Sequence, residues 1–346
     1  MTGGFQSEQS CRSPLGERYR KVLLITINHS YAGFFAYMTF AINQLIYAEK
    51  HGYLPVVWFG PDSGGGPNAF YDPTHGENVW DYYFEPVAGY TYNDIQSLIA
   101  SPENPLSEDD VIQLSTKELW RLHHDEPDSI FNYPYGCYRY KSKFDPNWYR
   151  AQRVKAHEYI SRYIRVRPEI LDEVGRIQQH FDHGRALGVH LRGTDKGTAG
   201  AAPHLMRVIK PATYFPIIDD YMDRHSWCTL FVATDQAQFV DLFRSRYGDR
   251  VLATDAMRSE TSTNPFQQVG KFGYQKGREV LIDALLLSRC EYLIKCTSAV
   301  GEYAMYFNPD LDCIDTNHLK EHTSVADVFS LVRTRARHAL RKYLVL

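Results

Sequence analysis

The chain has 346 residues, of which 44% are hydrophobic and 23% are charged, and its formal net charge is −3. These values are typical of a globular protein with a sizeable core, and the length suggests two domains. The charge argues against nucleic acid as a partner, and no apolar run approaches the ~20 residues of a membrane-spanning helix, so we expect no integral membrane segment.

Cysteine usage and the N-terminus bear on the compartment. The six cysteines include no C-x-x-C pair and are too few for a disulfide framework in a chain of this size. The first residues are polar and lack the charged-then-apolar pattern of a signal peptide. Both features favour a reducing, cytoplasmic location.

Short apolar runs rich in β-branched residues alternate with longer helical patterns. The predicted strands are Val22–Ile27, Pro55–Phe59, Leu187–Leu191, Thr229–Ala233, Val251–Ala253, Tyr292–Lys295 and Cys313–Asp315. The predicted helices include Phe34–His51, Pro146–Phe181, Pro211–Arg224, Gln236–Tyr247 and Glu279–Arg289. Alternation of buried strands with helices predicts an α/β fold with parallel sheets.

The helical stretch 146–181 separates two strand-bearing halves. We predict an N-terminal α/β domain over residues 1–170, a second over 171–322, and a C-terminal helix, 323–346, that packs back on the first domain. Two such domains facing each other across a cleft would bind ligands beyond the carboxyl ends of parallel strands. Polar residues just after the predicted strands are therefore the site candidates.

The stretch Gly188–Lys196 places four charged or titratable side chains at the end of a predicted strand. Arg192 can hold two phosphate oxygens with its planar fork, and Lys196 adds a point charge. Fixed cations of this kind stabilise a departing diphosphate. The spacing fits equally well a turn on which Arg192, Asp195 and Lys196 pair with one another.

Asp283 lies in the middle of a nearly all-apolar helical pattern. A buried carboxylate is costly without partners. Guanine would supply two adjacent donors, its N1–H and its 2-amino group. The alternative is an intramolecular pair with an Arg or a Lys, which is the more common arrangement.

Three other strand ends carry weaker signals. Asp235 either caps the following helix or contacts a ligand. Ser298 and Ala299 open a helix whose free N–H groups form an anion site, although Ser298 could instead cap that helix. After the first strand come Asn28 and Gly33, and Gly33 would let a ligand or backbone approach closely.

The fingerprints of several other nucleotide-binding classes are absent from the sequence. No G-x-G-x-x-G follows a strand and there is no Walker loop, which argues against dinucleotide oxidoreductases and ATPases. The only D-x-D, 310–312, lies apart from the other candidates, and the histidine pairs lack companions at metal-site spacing. We therefore expect neither a metal nor a cofactor.

Together these stretches resemble the fucosyltransferases that form α1,6 linkages, in a superfamily that includes the protein O-fucosyltransferases. The likeness begins at Ile160–Pro168 and runs into Gly188–Lys196, which is similar to the family's G-V-H-V-R-R-T-D-K. It continues through Ala233–Asp235 and Leu281–Asp283 to Ser288 and Ser298. It covers mainly residues 160–305.

The resemblance implies two Rossmann-like domains of the GT-B type. It also implies an inverting, metal-independent transfer of fucose from GDP-fucose to a glycan or a glycosylated small molecule. The implied donor-binding residues are His190 and Asp283 for guanine, Arg192 for the β-phosphate, and Ser298 with neighbouring N–H groups for the diphosphate. Lys196 matches a lysine that the family's core enzyme needs, and Asp195 and Asp235 match family carboxylates.

Three positions depart from the family's pattern. Its second arginine is Gly193 here, the second aspartate of its T-D-D is Gln236, and the glutamate taken as base in the core enzyme falls at Gly200. The chain also lacks the membrane anchor, coiled-coil stem and SH3 domain of the animal core enzyme, which points to a bacterial-type cytoplasmic enzyme. The donor half of the site is thus better supported than the acceptor half.

The catalytic base and the function class stay open. His204 is the nearest titratable replacement for the missing glutamate, with Asp195 and His29 as rivals. Other interpretations are the same fold with another GDP-sugar or a peptide acceptor, and a non-catalytic protein that binds GDP or glycans. The presence of Arg192, Lys196 and Asp283 together argues against the non-catalytic interpretation.

Overall fold

The computed structural model describes residues 13–27, 32–62, 66–103, 105–124, 145–194, 208–225, 229–261 and 272–319. The candidates that lie outside the described residues are Asn28, His29, Asp195, Lys196, Gly200 and His204. The predicted C-terminal helix 323–346 lies outside them as well.

The described strands form two parallel sheets. Three strands, β1 (Lys21–Ile25), β2 (Tyr53–Val57) and β3 (Val111–Ile112), form a sheet in the order β2-β1-β3. The other five are β4 (Ala186–Leu191), β5 (Thr229–Thr234), β6 (Val251–Leu252), β7 (Tyr292–Lys295) and β8 (Asp312–Asp315), in the order β6-β5-β4-β7-β8. The predicted α/β fold class with parallel sheets is confirmed.

Nine helices in the described chain connect or flank these strands. They are α1 (Phe34–His51), α2 (Tyr92–Ala100), α3 (Thr116–His124), α4 (Pro146–Tyr163), α5 (Pro168–Gln178), α6 (Phe215–Arg224), α7 (Ala237–Tyr247), α8 (Gly273–Ser288) and α9 (Ala299–Phe307). The α1 bounds match the prediction. A left-handed Gly52, with φ 66°, ends this helix, as its missing side chain allows.

Strand order locates the edge where a ligand would bind. The chain moves from β4 outward through β5 to β6, and then crosses to the other side of β4 to form β7 and β8. Every residue of β4 and β5 is buried, as expected for central strands covered on both faces. The switch point therefore lies between the carboxyl ends of β4 and β7.

Helices that flank the two sheets share one apolar core. Phe35 of α1 stacks on Tyr303 of α9 with ring centroids 4.6 Å apart, and Thr39 Oγ1 lies 2.9 Å from the Tyr303 hydroxyl. The largest buried cluster includes Ile25 of β1 and Leu286 of α8. The start of α9, and the strand edge beside it, is thereby held against α1.

Several predicted bounds were wrong. The stretch 146–181 is not one helix, because α4 ends at Tyr163 and Arg167 is extended (ψ 142°), as a residue before proline prefers. The second strand is Tyr53–Val57 rather than Pro55–Phe59. The domain boundary predicted after residue 170 falls within α5, and the division into two domains facing across a cleft stays a prediction.

Helix α8 begins six residues before its predicted start at Glu279. Its first turns contain Gly273 and Gly277, which weaken a helical pattern. A Cβ at Gly273 would overlap the carbonyl of Tyr71, and one at Gly277 would overlap the hydroxyl of Tyr83. The glycines thus allow a close approach between α8 and the N-terminal half, which local propensity does not reveal.

Candidate functional site

Asp235 holds the turn that follows β4. Its carboxylate accepts the backbone N–H of Gly193 at 2.9 Å, the N–H of Thr194 at 3.4 Å and the Thr194 hydroxyl at 2.6 Å. Helix α7 begins with Gln236 as its N-cap, and no side chain caps it. The prediction that Asp235 caps this helix is therefore wrong, because its carboxylate is engaged by a turn distant in the sequence.

Arg192 is the side chain that this turn presents. Its Nε lies 4.0 Å from Asp235 Oδ2, and its side chain is 19% exposed. Asp235 therefore holds the turn that carries Arg192 and partly compensates the guanidinium charge, while some of the Arg192 surface stays accessible. The alternative ion cluster with Asp195 and Lys196 lies outside the described residues.

Asp283 lies inside the protein, 8% exposed, on α8. Thr254, just after β6, donates its hydroxyl to Asp283 Oδ1 at 2.8 Å. Burial raises the pKa of this carboxyl to about 6, and the Thr254 hydrogen bond and the charge of Arg258 oppose that rise only in part. Within the described ranges no Arg or Lys forms an ion pair with Asp283, so its second oxygen is a candidate ligand acceptor.

The loop after β6 connects Asp283 with the end of β5. Met257 N–H donates to Glu279 Oε2 of α8 at 2.8 Å. Ser259 N–H donates to the Asp235 carbonyl at 2.9 Å, and its own carbonyl accepts from Ala237 at 3.1 Å. The loop therefore runs along the carboxyl edge of the sheet, from Asp283 to the residue that orients Arg192.

Ser298 precedes the first turn of α9. It is the N-cap residue, yet its side chain makes no capping bond, so the capping alternative is wrong. Its Oγ is buried and has no hydrogen-bond partner among the described residues. A buried hydroxyl left unpaired costs about 1–3 kcal/mol. Together with the open N–H groups of the helix start at Ala299, it forms a candidate anion site.

The ring of His190 lies beside this helix start. His190 Nδ1 is 3.8 Å from Cys296 Sγ, and a Cβ added to Gly301 would lie 3.3 Å from the same nitrogen. These contacts place the ring on the β7 side of β4, whereas Thr254, the partner of Asp283, follows β6 at the other side. The binding of guanine by His190 stays a prediction.

A buried triad of charged side chains, Lys295, Glu302 and Asp315, holds α9 against the sheet. Lys295 Nζ lies 2.7 Å from Glu302 Oε1 and 2.7 Å from Asp315 Oδ2. Burial opposes the lysine's charge, but the two carboxylates outweigh it and raise the Lys295 pKa above its ordinary value. Tyr149 of α4 also donates to Glu302. The triad thus ties β7, β8, α4 and α9 together beneath the anion site.

Gly33 is the N-cap of α1, and no side chain caps this helix. Among the described residues, a Cβ added there would meet no atom within 4 Å, so none of them makes a close backbone contact at this position. The next residue, Phe34, packs edge-on against Tyr83 at 5.0 Å. Gly33 therefore stays a predicted residue of the donor-binding site, because the described residues leave room for a ligand beside it.

Sequence reasoning missed several residues of this region. Thr254 and Arg258 lie just after β6, so the rule that sites follow strands could have identified them. Lys295 ends a buried strand, where a cation needs partners. Its partners Glu302 and Asp315 could not be assigned without the fold.

The described residues contain no group of three or more His, Cys, Asp or Glu side chains that could hold a metal ion. None of their helices is both long and apolar enough to cross a membrane.

Residues 140–304 match the family model of the alpha-(1,6)-fucosyltransferase N- and catalytic domains. No curated protein matches the chain. Similar solved structures include NodZ alpha-1,6-fucosyltransferase soaked with GDP-fucose, at 18% identity over 83% of this chain and 92% of that chain (TM-score 0.46). A point mutant of Arabidopsis thaliana FUT1 in complex with GDP is 12% identical over 87% of this chain and 71% of that chain (TM-score 0.43). POFUT1 in complex with GDP is 9% identical over 86% of this chain and 98% of that chain (TM-score 0.44).

The family match confirms the resemblance seen in the sequence. The matched span includes the described candidates at the edge of the five-stranded sheet, which are His190, Arg192, Asp235, Asp283, Ser298 and Ala299. Over residues 140–304 the chain is thus similar to a family of glycosyltransferases.

Proposed function

We propose that this chain, a glycosyltransferase related through residues 140–304 to the α1,6-fucosyltransferases, transfers fucose from GDP-fucose to a glycan or a glycosylated small molecule. The observation that carries the proposal is the buried Asp283 carboxylate at the carboxyl edge of the five-stranded sheet. A buried carboxylate of this kind needs donors, and guanine presents two on one edge.

Donor recognition follows from that carboxylate. Thr254 occupies one oxygen of Asp283, and guanine N1–H and the 2-amino group would donate to the carboxylate when the nucleotide binds. Uracil and adenine do not offer that pair of donors. Asp283 is therefore the proposed determinant of guanine specificity.

Leaving-group stabilisation is assigned to the β4 turn and the start of α9. Arg192 carries the charge, Asp235 holds the turn on which Arg192 lies, and the Ser298 hydroxyl, which has no partner among the described residues, adds a neutral donor. Groups fixed in this way stabilise the developing charge of the diphosphate without reorganising. Lys196 would contribute a second cation, so we propose a transfer that needs no divalent metal.

The acceptor half of the reaction is assigned to the region after β4. An inverting transfer needs a base that takes the acceptor proton from the face opposite the diphosphate, and His204 is the proposed base with Asp195 as its rival. We also propose a reducing, cytoplasmic setting, supported by a sequence whose six cysteines are too few for a disulfide framework.

The test is release of GDP from GDP-fucose, with a glycan panel as acceptors and EDTA present. We expect turnover to persist under chelation, and Arg192→Ala to reduce it by on the order of 10²–10³. His204→Ala should reduce it by on the order of 10²–10⁴ with GDP affinity unchanged. Arg244→Ala, at an exposed position of α7, is the matched control.

Loss of activity in EDTA with recovery in Mn²⁺ would refute the metal-independent mechanism. Wild-type turnover by Arg192→Ala would show that the β4 turn does not bind the diphosphate. Normal turnover by His204→Ala would transfer the base assignment to Asp195.

A further inference from the structure

Arg258 lies within the same loop as Thr254, beside the Asp283 carboxylate. Its Nη2 donates to the Thr254 carbonyl at 2.8 Å, and its Nη1 donates to the Ala256 carbonyl at 3.1 Å. Thr254 in turn gives its hydroxyl to Asp283. A single residue therefore connects the guanidinium to the carboxylate, and the Arg258 charge opposes part of the rise in the Asp283 pKa that burial causes.

The guanidinium has donor capacity that the described contacts do not use. A guanidinium carries more N–H groups than the two bonds to its own loop require. Arg258 Nε is enclosed and has no acceptor among the described residues, which also provide no carboxylate in ion-pair contact with Arg258. Because Nε is enclosed, an acceptor-rich ligand would bind the remaining N–H groups of the two terminal nitrogens.

Guanine has such an acceptor-rich edge next to the edge proposed for Asp283. Its N1–H and 2-amino donors suit a carboxylate, while O6 and N7 on the adjoining edge are both acceptors. Bidentate contact of an arginine with O6 and N7 is the commonest specific contact to this base. Adenine presents a donor in place of O6 and would repel the guanidinium.

We propose that Arg258 binds O6 and N7 of guanine while Asp283 binds N1–H and the 2-amino group, so that the loop after β6 and helix α8 hold the base between them. The inference rests on the proposed function, because it assumes a guanine nucleotide at this edge. It adds a second specificity determinant that distinguishes guanine through its acceptors rather than its donors.

The test compares the affinities of GDP and 7-deaza-GDP, which lacks the N7 acceptor, by calorimetry. Wild type and the exposed control Arg244→Met should prefer GDP by roughly 5- to 150-fold, the range for losing one such contact. Arg258→Met should bind both ligands equally. Arg258→Lys keeps the charge but loses the planar fork. Its preference for GDP over 7-deaza-GDP, expressed as the logarithm of the affinity ratio, should be less than half that of wild type.

The ratio of the two affinities within one protein separates recognition from folding. A variant that distorts the loop weakens the binding of GDP and of 7-deaza-GDP alike, and such a general loss cancels in the ratio of the two affinities. Equal binding of both ligands by wild type, or an undiminished preference in Arg258→Met, overturns the proposal. Failure of wild type to bind GDP at all overturns the proposed function, and this inference with it.

Discussion

At the residue scale, the Asp283 carboxylate is proposed to bind guanine, but its burial lowers the stability of the folded chain when it is ionised. Burial raises its pKa to about 6, above the ordinary 3.8, so the fold disfavours the ionised form. At acid pH the carboxyl is neutral in both folded and unfolded chains, and no cost arises. As the pH rises through about 6 the cost reaches its full size, about 3 kcal/mol for a shift of roughly two pH units.

Asp283→Asn should therefore stabilise the nucleotide-free protein at neutral and alkaline pH. The amide oxygen can still accept from Thr254, while the charge is gone. The gain in free energy of unfolding over wild type should be about 1 kcal/mol larger near pH 8 than near pH 5. Urea denaturation at both values measures it, and a gain that does not grow with pH would contradict a buried, ionising Asp283.

Not every site residue could be recognised from its local sequence. Arg192 and Asp283 can be recognised because a charged side chain at the end or in the middle of an apolar element is costly unless it has partners. The role of Asp235 in holding the β4 turn could not be predicted from its local sequence, because its partners Gly193 and Thr194 lie more than 40 residues away. The same holds for Arg258, whose significance depends on Asp283 being its neighbour.

At the element scale, two departures from the family's motif prove to be neighbours in space. A Cβ added to Gly193 would overlap Gln236 Oε1 and lie 3.0 Å from Phe239 Cε2. Gln236 also donates to the Thr261 carbonyl at 3.2 Å. The Gln236 side chain thus fills the space that a side chain at position 193 would need, so the two departures are compatible with each other in this fold.

Gly193→Ala should destabilise the β4 turn by about 1–3 kcal/mol, the usual cost of overpacking. Gly193→Ala combined with Gln236→Ala should recover much of that loss, because the overlapping atom is removed. The measurement is a double-mutant cycle, which compares the free energies of unfolding of wild type, both single variants and the double variant. Strict additivity would show that the two residues do not compete for space.

Helix α9 depends on the triad beneath it. Lys295→Met should cost about 3–5 kcal/mol, because Glu302 and Asp315 are left as uncompensated buried charges. Arg224→Met is the matched control, since its pair with Asp220 is exposed and worth less than about 1 kcal/mol. Equal effects of the two variants in chemical denaturation would refute a structural role for the triad.

At the scale of the whole molecule, the alternation of strands and helices predicted the parallel sheets but not their relation to each other. Phe35 and Tyr303, which stack between α1 and α9, belong to helices far apart in the sequence. Glycines such as Gly277 permit another close contact between the halves, and a missing side chain leaves no hydrophobic signal. Periodicity therefore finds elements, while contacts between sheets require the packed structure.

The central claim is a guanine-nucleotide site at the carboxyl edge of the five-stranded sheet, specified by Asp283. Calorimetric titration of wild type and Asp283→Asn with GDP, UDP and ADP in EDTA tests it most directly. We expect wild type to prefer GDP clearly and Asp283→Asn to lose roughly 1.5–3 kcal/mol of that preference, the worth of a charge-assisted hydrogen bond. Equal affinity of wild type for GDP and UDP would contradict the account.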